Sequence, residues 1–333
     1  MKFDFITIGG STEDITFYTQ EGLLINNKKD ILRQNLLAFE YGAKLQVDKA
    51  YSNFGGGAAN AAVGLANLGL SVATFVAIGE DIRGMKILEN FKTKKVNTSL
   101  IQKKKEISTG FSFFLVGQQN EHVCFSYRAA NDKLEIKPDE LKRLAQAKWI
   151  YLTSLSGKWP ENLTRIFSLK NVKISWNPGH IQLHKGIKAL GKHFKKTEVL
   201  IVNKDEALEL VVSDPQYRDK NNKYLNEIKN LLNIIKGWGP KIVVVTNGKY
   251  GADAYDGKNY YHQNIIKEKR RINTTGVGDA FGSTFSAGLE MFNGNIKRAM
   301  YMGACNTASV VGAMGAQIGL LSKAEMMKKM KKF

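Results

Sequence analysis

The most informative segment of the chain is Ile272-Asn-Thr-Thr-Gly-Val-Gly-Asp-Ala-Phe-Gly-Ser-Thr-Phe-Ser-Ala-Gly-Leu289. Gly276 and Gly278 give the backbone conformational freedom just before a helix that the pattern predicts from about Asp279 onward. The N–H groups of a helix start and the positive end of its dipole together form a site for anions. Asp279 at the edge of such a site could take a proton from a hydroxyl group, but it could equally stabilise the helix N-terminus. The residues alone leave these two interpretations nearly even.

Outward from this stretch, short apolar runs alternate with helical segments along most of the chain. The pattern predicts strands at residues 5–8, 71–78, 149–152, 172–176, 199–202 and 241–246. Nearly continuous β-branched runs separated by helices are typical of parallel sheets that helices cover on both faces. We therefore expect an α/β fold with a mostly parallel central sheet and an active site beyond the carboxyl ends of its strands.

Two segments interrupt this alternation. Residues 12–50 show little helical periodicity before a predicted strand at 44–48, and residues 108–128 have the pattern of a hairpin around Gly117–Asn120. Strand pairs outside the alternation indicate a small β-sheet lid, and the alternative is a set of extra edge strands on the main sheet. We expect residues 1–333 to form a single domain, with lid segments at about 12–50 and 108–130.

The charge of the chain limits its partners. The 333 residues include 49 basic and 30 acidic ones, so the net charge is +19. This surplus fits either a nucleic-acid binder or an enzyme for anionic substrates. The lysines form short scattered runs without the interleaved aromatic residues of a base-stacking surface, so we expect no specific nucleic-acid partner.

The cysteines and the hydropathy pattern predict the compartment. Cys124 and Cys305 lie far apart in apolar sequence surroundings, which predicts buried free thiols and a reducing environment. No apolar run reaches the ~18 residues of a membrane span, and no signal-peptide pattern follows the first residues. We expect a cytoplasmic protein without a membrane partner.

The segment Asn273-Thr-Thr-Gly-Val-Gly-Asp279 closely resembles the Asp-Thr-x-Gly-Ala-Gly-Asp signature of the ribokinase-like (PfkB) carbohydrate kinases. The resemblance implies a ribokinase-like three-layer sandwich with a β-sheet lid. It also implies that Asp279 is the catalytic base and that the backbone amides of Gly276, Val277, Gly278 and Asp279 form the anion hole. This chain departs from the signature at Asn273, which replaces an aspartate, and at Val277, which replaces an alanine.

A second motif, Phe54-Gly-Gly-Gly-Ala-Ala-Asn60 followed by an alanine-rich helix, looks like the N-terminal signature of the same family. A glycine run before a helix is on its own more often just a tight turn. The resemblance implies that Gly55, Gly56 and Asn60 bind the hydroxyl groups of the substrate. Asp14, near the end of the first strand, resembles the substrate-binding aspartate of these kinases, and its plain alternative is a loop carboxylate.

Further matches occur in family order along the chain. Asn203-Lys-Asp-Glu206 has the pattern of a helix capping box. It also resembles the family's Asn-x-x-Glu motif, which implies that Asn203 and Glu206 help to hold Mg²⁺ and the phosphates through water. Thr246 and Gly248 resemble the loop that touches the ATP phosphates, and Asn306 resembles a neighbour of the adenine.

Taken together, the resemblance implies an ATP- and Mg²⁺-dependent kinase that phosphorylates a primary hydroxyl group of a sugar. A monovalent cation stays open, because Asn273 lacks the charge of the family aspartate, and a homodimer through the lid edges is expected. A sugar-phosphate kinase, which the surplus of lysines would permit, and a non-catalytic binding protein on the same fold are alternatives. A nucleoside kinase would need aromatic side chains to stack on the base, and the candidates are Tyr18, Phe111, Phe113 and Tyr127.

Overall fold

The computed structural model describes residues 2–27, 35–117, 122–267 and 274–333. In chain order the strands are β1 (Phe3–Ile8), β2 (Thr12–Tyr18), β3 (Leu23–Asn26), β4 (Asn35–Ala38), β5 (Lys49–Gly55), β6 (Val72–Phe75), β7 (Ala77–Gly79), β8 (Gln102–Lys104), β9 (Phe111–Val116), β10 (His122–Tyr127), β11 (Ala147–Leu152), β12 (Lys173–Trp176), β13 (Val199–Asn203), β14 (Ile242–Thr246), β15 (Ala252–Tyr255) and β16 (Tyr260–Gln263). The helices are α1 (Gly57–Asn67), α2 (Ile82–Thr93), α3 (Pro138–Leu144), α4 (Trp159–Ile166), α5 (His180–Leu183), α6 (Gly186–Phe194), α7 (Lys204–Val212), α8 (Pro215–Arg218), α9 (Asn222–Asn226), α10 (Ile228–Gly237), α11 (Val277–Met291), α12 (Ile296–Val311) and α13 (Lys323–Met330).

The main sheet has eight strands in the order β16-β15-β14-β13-β12-β11-β1-β6. Within this sheet the six strands β6, β1, β11, β12, β13 and β14 run parallel to one another. The strands β15 and β16 add an antiparallel edge next to β14. The mostly parallel sheet predicted from the alternation of apolar runs is confirmed. Among the described helices, none combines the length and the apolar character that crossing a bilayer requires.

Two hydrophobic cores flank this sheet, because successive strand residues point to opposite faces. On one face Phe5 and Tyr151 pack with residues of α1, α11 and α12. On the other face Ile6 and Ile150 pack with residues of α4, α6, α7 and α10. Strands buried on both sides explain why the sequence shows continuous apolar runs rather than alternation.

The lid is a separate sheet of four strands in the order β10-β9-β2-β5. Its pairs are antiparallel except that β2 and β9 run parallel. The predicted hairpin is present as β9 and β10, and residues 118–121 of its expected turn lie outside the described residues. These strands form their own sheet, so the alternative of extra edge strands on the main sheet is wrong.

Two predicted strands differ from the observed ones. Residues 44–48 form no strand; β5 begins at Lys49, where it pairs with Tyr18 of β2. The alternation of Leu45 and Val47 suggested a strand, but both side chains are exposed, and the backbone bond to β2 comes only at the end of the segment, where the Asp48 N–H donates to the Tyr18 carbonyl. The predicted strand at 71–78 is interrupted at Val76, so that β6 pairs in the main sheet and β7 pairs with β8.

The expectation for the two cysteines holds for only one of them. Cys305 is buried in α12, but Cys124 is exposed. Cys124 lies on β10, which is an edge strand of the lid. Its apolar neighbours in sequence therefore do not enclose it, because the lid has no second layer over that edge among the described residues.

Asn131 connects the two chain segments that enter and leave the lid. Its Oδ1 accepts a hydrogen bond from the Ser11 backbone N–H at 3.1 Å, and its Nδ2 donates to the Ser11 carbonyl at 3.0 Å. Ser11 precedes β2, and Asn131 follows β10. The side chain therefore pairs with the backbone of the first lid junction much as a neighbouring strand would.

Candidate active site

The start of α11 is built around Gly276. This residue has φ +75°, in the left-handed region, and a Cβ there would lie 2.3 Å from the Cβ of Ala316. Only glycine satisfies both constraints without strain. The Gly276 N-cap provides no side-chain hydrogen bond to the helix. The first N–H groups of a helix have no acceptor in the preceding turn of the same helix, so a start without a side-chain cap favours the binding of an anion there.

Asp279 lies where the starts of α11 and α1 meet. Its Oδ2 accepts a hydrogen bond from Asn60 Nδ2 at 2.9 Å, which joins two residues 219 positions apart. Its Oδ1 faces Gly57, where an added Cβ would lie 3.1 Å away. Burial raises the pKa of the Asp279 carboxyl, the bond from Asn60 opposes that rise, and the charge of Asp14 adds to it. A base with a raised pKa beside free backbone amides is an arrangement suited to proton abstraction.

Asp14 occupies the other side of the α1 start. Only 8% of the residue is exposed, and its Oδ1 accepts a hydrogen bond from the Thr12 hydroxyl at 2.8 Å. Burial raises the pKa of the Asp14 carboxyl, and hydrogen bonds from Thr12 and Ser112 partly offset this effect. A Cβ on Gly55 would lie 1.9 Å from Asp14 Oδ2, so the carboxylate contacts the glycine backbone directly.

Gly56 completes this corner as the N-cap of α1. Its φ is +91°, and a Cβ would approach the Gly10 carbonyl oxygen to 2.5 Å. The structure therefore brings together the predicted substrate residues Asp14, Gly55, Gly56 and Asn60 and places Asp279 beside them.

A cavity of about 300 Å³ opens beside the α11 start, next to the Gly278 backbone. Asn203, Thr246 and Gly248 line it, at and just after the carboxyl ends of β13 and β14. Apolar residues of α11, α12 and the segment after β16 form much of the remaining wall, among them Ile265, Phe281, Ala304 and Val311. Apolar walls with a few polar groups are typical of a site for a nucleotide.

Asn203 and Glu206 form the capping box expected from their spacing. Asn203 Oδ1 accepts from the Glu206 N–H at 2.9 Å, and Glu206 Oε2 accepts from the Asn203 N–H at 2.8 Å. Burial raises the pKa of the Glu206 carboxyl, the bond from the Asn203 backbone opposes that rise, and the nearby charges of Glu209, Asp205 and Asp279 add to it. The Glu206 carboxylate therefore lies within electrostatic reach of Asp279.

Asn306 is placed differently from the other predicted residues. It is fully buried and does not line the cavity. Its Nδ2 donates to the Thr284 hydroxyl at 2.7 Å, and its Oδ1 accepts from the Leu321 N–H at 2.9 Å. These bonds connect α12 to α11 and to the segment before α13. A contact of Asn306 with adenine stays a prediction, while Thr307 of the same helix does line the cavity.

Sequence reasoning missed two residues of this region. Gly57 faces the Asp279 carboxylate, and the signal for it was the third glycine of the run at 55–57. Gln317 donates from its Nε2 to Asn60 Oδ1 at 3.0 Å. No local pattern marks Gln317, because its partner lies 257 residues away in the chain.

Residues 30–323 match the family model described as pfkB family carbohydrate kinase. The chain belongs to the PfkB family of carbohydrate kinases. Asn273, the first residue of the signature that carried the resemblance, lies outside the described residues.

Characterised relatives of this PfkB kinase differ in their acceptors. The chain is 23% identical over 299 residues to an ATP-dependent 6-phosphofructokinase of Thermoanaerobacterium thermosaccharolyticum, covering 86% of this chain and 87% of the relative. It is 26% identical over 285 residues to a ribokinase of Staphylococcus aureus, covering 84% of this chain and 89% of the relative. These relatives are kinases with an alcohol acceptor, which places the PfkB chain in that enzyme class.

Solved structures of the same family share its fold. A ribokinase of Arabidopsis thaliana complexed with ribose and ATP superposes with a TM-score of 0.81 at 17% identity, over 99% of both chains. A nucleoside kinase of Burkholderia thailandensis in complex with inosine gives a TM-score of 0.80 at 14% identity, over 98% of both chains. The expected ribokinase-like sandwich with a separate small sheet is therefore confirmed.

Proposed function

We propose that this PfkB kinase transfers the γ-phosphoryl group of ATP to a primary hydroxyl group of a sugar, with Asp279 as the general base. The observation that carries the proposal is the position of the Asp279 carboxylate. One of its oxygens is held by Asn60, and the other faces the start of α1, beside the uncapped amides of α11. We also propose that the whole chain forms a single kinase domain into which the lid segments are inserted. We propose that this kinase acts in the cytoplasm.

The acceptor sugar would lie between the lid and the start of α1. The Asp14 carboxylate accepts hydrogen bonds from its hydroxyl groups, and Asn60 has one N–H left to donate after its bond to Asp279. The free Oδ1 of Asp279 orients the primary hydroxyl group and accepts its proton as the oxygen attacks the γ-phosphorus. The bond from that phosphorus to the bridging oxygen of ADP breaks in the same displacement.

The amides at the start of α11 stabilise the charge that develops on the transferring phosphoryl group. Phosphoryl transfer has a loose transition state, so positioning and charge neutralisation account for most of the acceleration. The N–H groups of Gly278 and Asp279 and the α11 dipole provide this without rearrangement. Gly276 and Val277 belong to the same turn and shape it.

The nucleotide site fits ATP, and Glu206 with Asn203 fits Mg²⁺. Among the described residues no cluster of three or more histidine, cysteine, aspartate or glutamate side chains could hold a metal ion. That suits Mg²⁺, which proteins commonly bind through one or two carboxylates together with water and substrate phosphates. When bound, Mg²⁺ neutralises phosphate charge. We expect Glu206 in its outer shell and Thr246 and Gly248 at the phosphates.

A nucleoside is the second candidate acceptor, and the lid favours it through one observation. Tyr18 and Tyr51 form an edge-to-face pair with ring centroids 5.9 Å apart, and their register places them on the face of the lid that carries Asp14. The nucleobase of a nucleoside could stack on these two rings. Phe111 and Phe113 flank Ser112, which pairs with Asp14, so their side chains point to the opposite face of the lid. Tyr127 pairs with Phe111 and therefore lies on that opposite face as well.

A coupled assay of ADP release tests these functions against each other. We expect ribose-like or fructose-like sugars to stimulate ADP release more than sugar phosphates or nucleosides such as inosine and adenosine. Stimulation by nucleosides alone would replace the sugar with the second candidate. If no acceptor of any of these classes stimulates release, a non-catalytic binding protein becomes the better interpretation.

We also propose that the outer face of the lid pairs with a second copy of the chain. This face carries an aromatic cluster in which Phe113 contacts both Phe17 and Phe125. Phe125 is 57% exposed and Tyr127 is 53% exposed, so the cluster presents an apolar patch to solvent. Contiguous exposed apolar patches commonly mark protein–protein interfaces. Phe125→Asp should shift the protein to monomer in sedimentation velocity. Tyr41→Asp, at an exposed aromatic residue outside the lid strands, is the matched control.

A further inference from the structure

Three carboxamide side chains form a continuous hydrogen-bonded chain that ends at Asp279. Asn90 Nδ2 donates to Gln317 Oε1 at 2.9 Å, and Gln317 Nε2 donates to Asn60 Oδ1 at 3.0 Å. Asn60 Nδ2 then donates to Asp279 Oδ2 at 2.9 Å. Gln317 and Asn60 are both buried, and Asn90 lies half-buried on α2. The chain therefore connects a helix near the surface to the proposed base.

The direction of these bonds follows from the chemistry of the groups. An ionised carboxylate only accepts hydrogen bonds, so Asn60 must turn its NH₂ group toward Asp279. The carbonyl oxygen of Asn60 then faces Gln317, which must present its own NH₂ group. The same reasoning makes Gln317 accept from Asn90. Each carboxamide has one donor end and one acceptor end, so the orientation of any member determines the others.

The bond from Asn60 also orients the carboxylate itself. The terminal torsion of an aspartate side chain is broad, so the plane of its carboxylate is set by hydrogen bonds rather than by rotamer preference. With Oδ2 held by Asn60, Oδ1 faces the start of α1 at Gly57. If Asn60 turned over, its carbonyl oxygen would oppose the Asp279 carboxylate and the hold on Oδ2 would be lost.

We propose that Gln317 is a positioning residue, which keeps the Asn60 carboxamide in the one orientation that donates to Asp279 and leaves Oδ1 free for the acceptor hydroxyl. The proposal deepens the proposed function and rests on Asp279 being the base. Gln317 acts through Asn60 and needs no contact with either substrate. Asn90, at the far end of the hydrogen-bonded carboxamides, fixes the direction in which the bonds run.

Two substitutions of Gln317 separate this role from packing. Gln317→Met keeps the length of the side chain and removes both bonds, and we expect kcat to fall about tenfold. Gln317→Glu keeps the shape and the acceptor end but replaces the donor with an acceptor, which turns Asn60 over. We expect a larger loss of kcat, about a hundredfold, with KM for ATP unchanged in both variants. A packing role alone predicts the opposite order, because glutamate matches the shape of glutamine more closely.

Asn90 provides a second pair of variants at a site that is only half-buried, so that folding is preserved. Asn90→Ala removes the last donor and should lower kcat by less than about threefold. Asn90→Asp places an acceptor there, which turns Gln317 and then Asn60 around, and it should lower kcat about tenfold.

The matched control is Asn67→Asp. Asn67 Nδ2 donates to the Leu320 carbonyl at 3.3 Å and so anchors the same C-terminal segment outside the carboxamide chain. We expect kcat within about twofold of the unmodified enzyme.

The outcomes distinguish this inference from the function on which it rests. If Asp279→Asn keeps its turnover, the proposed base is wrong and the role of Gln317 falls with it. If Asp279→Asn loses turnover while folded Gln317→Met and Gln317→Glu keep it, or if Gln317→Glu is the milder of the two, only the positioning role is overturned. Loss in the order predicted, with Asn90→Asp worse than Asn90→Ala, supports it.

Discussion

The helices α7 and α11 both begin at the edge of the sheet where the nucleotide cavity lies, yet their first turns are built in opposite ways. At the start of α7, Asn203 and Glu206 satisfy each other's backbone N–H groups in a capping box. At the start of α11, Gly276 provides no side-chain cap for the first-turn amides. The helix α1, which meets α11 at Asp279, also begins with an uncapped glycine, Gly56.

The two kinds of helix start differ in helix stability and in their capacity to bind an anion. A polar N-cap typically contributes about 1 kcal/mol to helix stability and occupies the amides that an anion would otherwise bind. A glycine start lacks that contribution and keeps the amides for a ligand. The self-capped start of α7 supports the fold, whereas the glycine starts of α1 and α11 surround the proposed base.

The largest expected effect is the loss of the base at the open helix start. Asp279→Asn should lower kcat by about a hundredfold or more, because the amide cannot accept the proton of the acceptor hydroxyl. The dissociation constant of ATP, measured by calorimetry, should stay nearly unchanged. The control is Asp205→Asn, an exposed carboxylate in the first turn of α7. Unaltered turnover in Asp279→Asn would show that the open start of α11 does not carry the catalytic base.

The geometry of the open start can be broken without changing any charge. Gly276→Ala forces a left-handed φ on alanine and drives its Cβ against Ala316. We expect a loss of about 1–3 kcal/mol in the free energy of unfolding and a fall in kcat of about tenfold, as the first-turn amides shift. Gly294→Ala, at φ +82° with nothing within 4 Å of the added Cβ, is the control and should leave kcat unchanged. Equal kcat in the two variants would argue against a role for the first turn of α11.

The self-capped start of α7 should show a different pattern. Glu206→Gln keeps an oxygen that can accept from the Asn203 N–H, so the unfolding midpoint should not change. The lost charge should raise the Mg²⁺ concentration needed for half-maximal activity by about tenfold. Glu325→Gln makes the same change in the capping box of α13 and should alter neither quantity. An unchanged Mg²⁺ requirement in Glu206→Gln would leave that residue with its capping role alone.

The smallest effect concerns pH. Burial raises the pKa of Asp279 above its ordinary value of 3.8. The folded protein therefore binds this proton more tightly than the unfolded chain, and stability falls as the pH rises from that value through the raised one. Asp279→Asn should be more resistant to urea than the unmodified protein at pH 7, and the difference should shrink toward pH 4. The acid limb of kcat/KM should lie above the range of an ordinary aspartate.

Much of the fold could be predicted from the sequence, because its information is local. The buried parallel strands appear as apolar runs, and the start of α11 follows from its two glycines. The same local reasoning failed at residues 44–48, where an alternating pattern found no partner strand, and at Cys124, where an edge strand left apolar neighbours uncovered. Pairing and layering are properties of the assembled sheet, so no window of sequence contains them.

The candidate site shows the same limit. The glycines predicted the backbone geometry at the starts of α11 and α1, and the family resemblance is what pointed to Asp279. Gln317 carries no such signal, because its contact with Asn60 spans the length of the chain. Asn306 was expected at the nucleotide by position in the family order; its side chain bonds to Thr284 and Leu321, and its contact with adenine stays a prediction. Which way a side chain points on a buried helix depends on partners that only tertiary structure supplies.

The two bonds from Asn131 to Ser11 have a consequence for anyone who exchanges lids between relatives. The lid joins the body of the enzyme at four crossings, and this amide ties the first crossing to the last. The crossing from β5 into α1 runs through Gly55 and Gly56, directly against Asp14. A transplanted lid would therefore need Asn131 with its two bonds to Ser11, and the glycine crossing beside Asp14, so we expect these residues to be exchangeable only together with the strands they join.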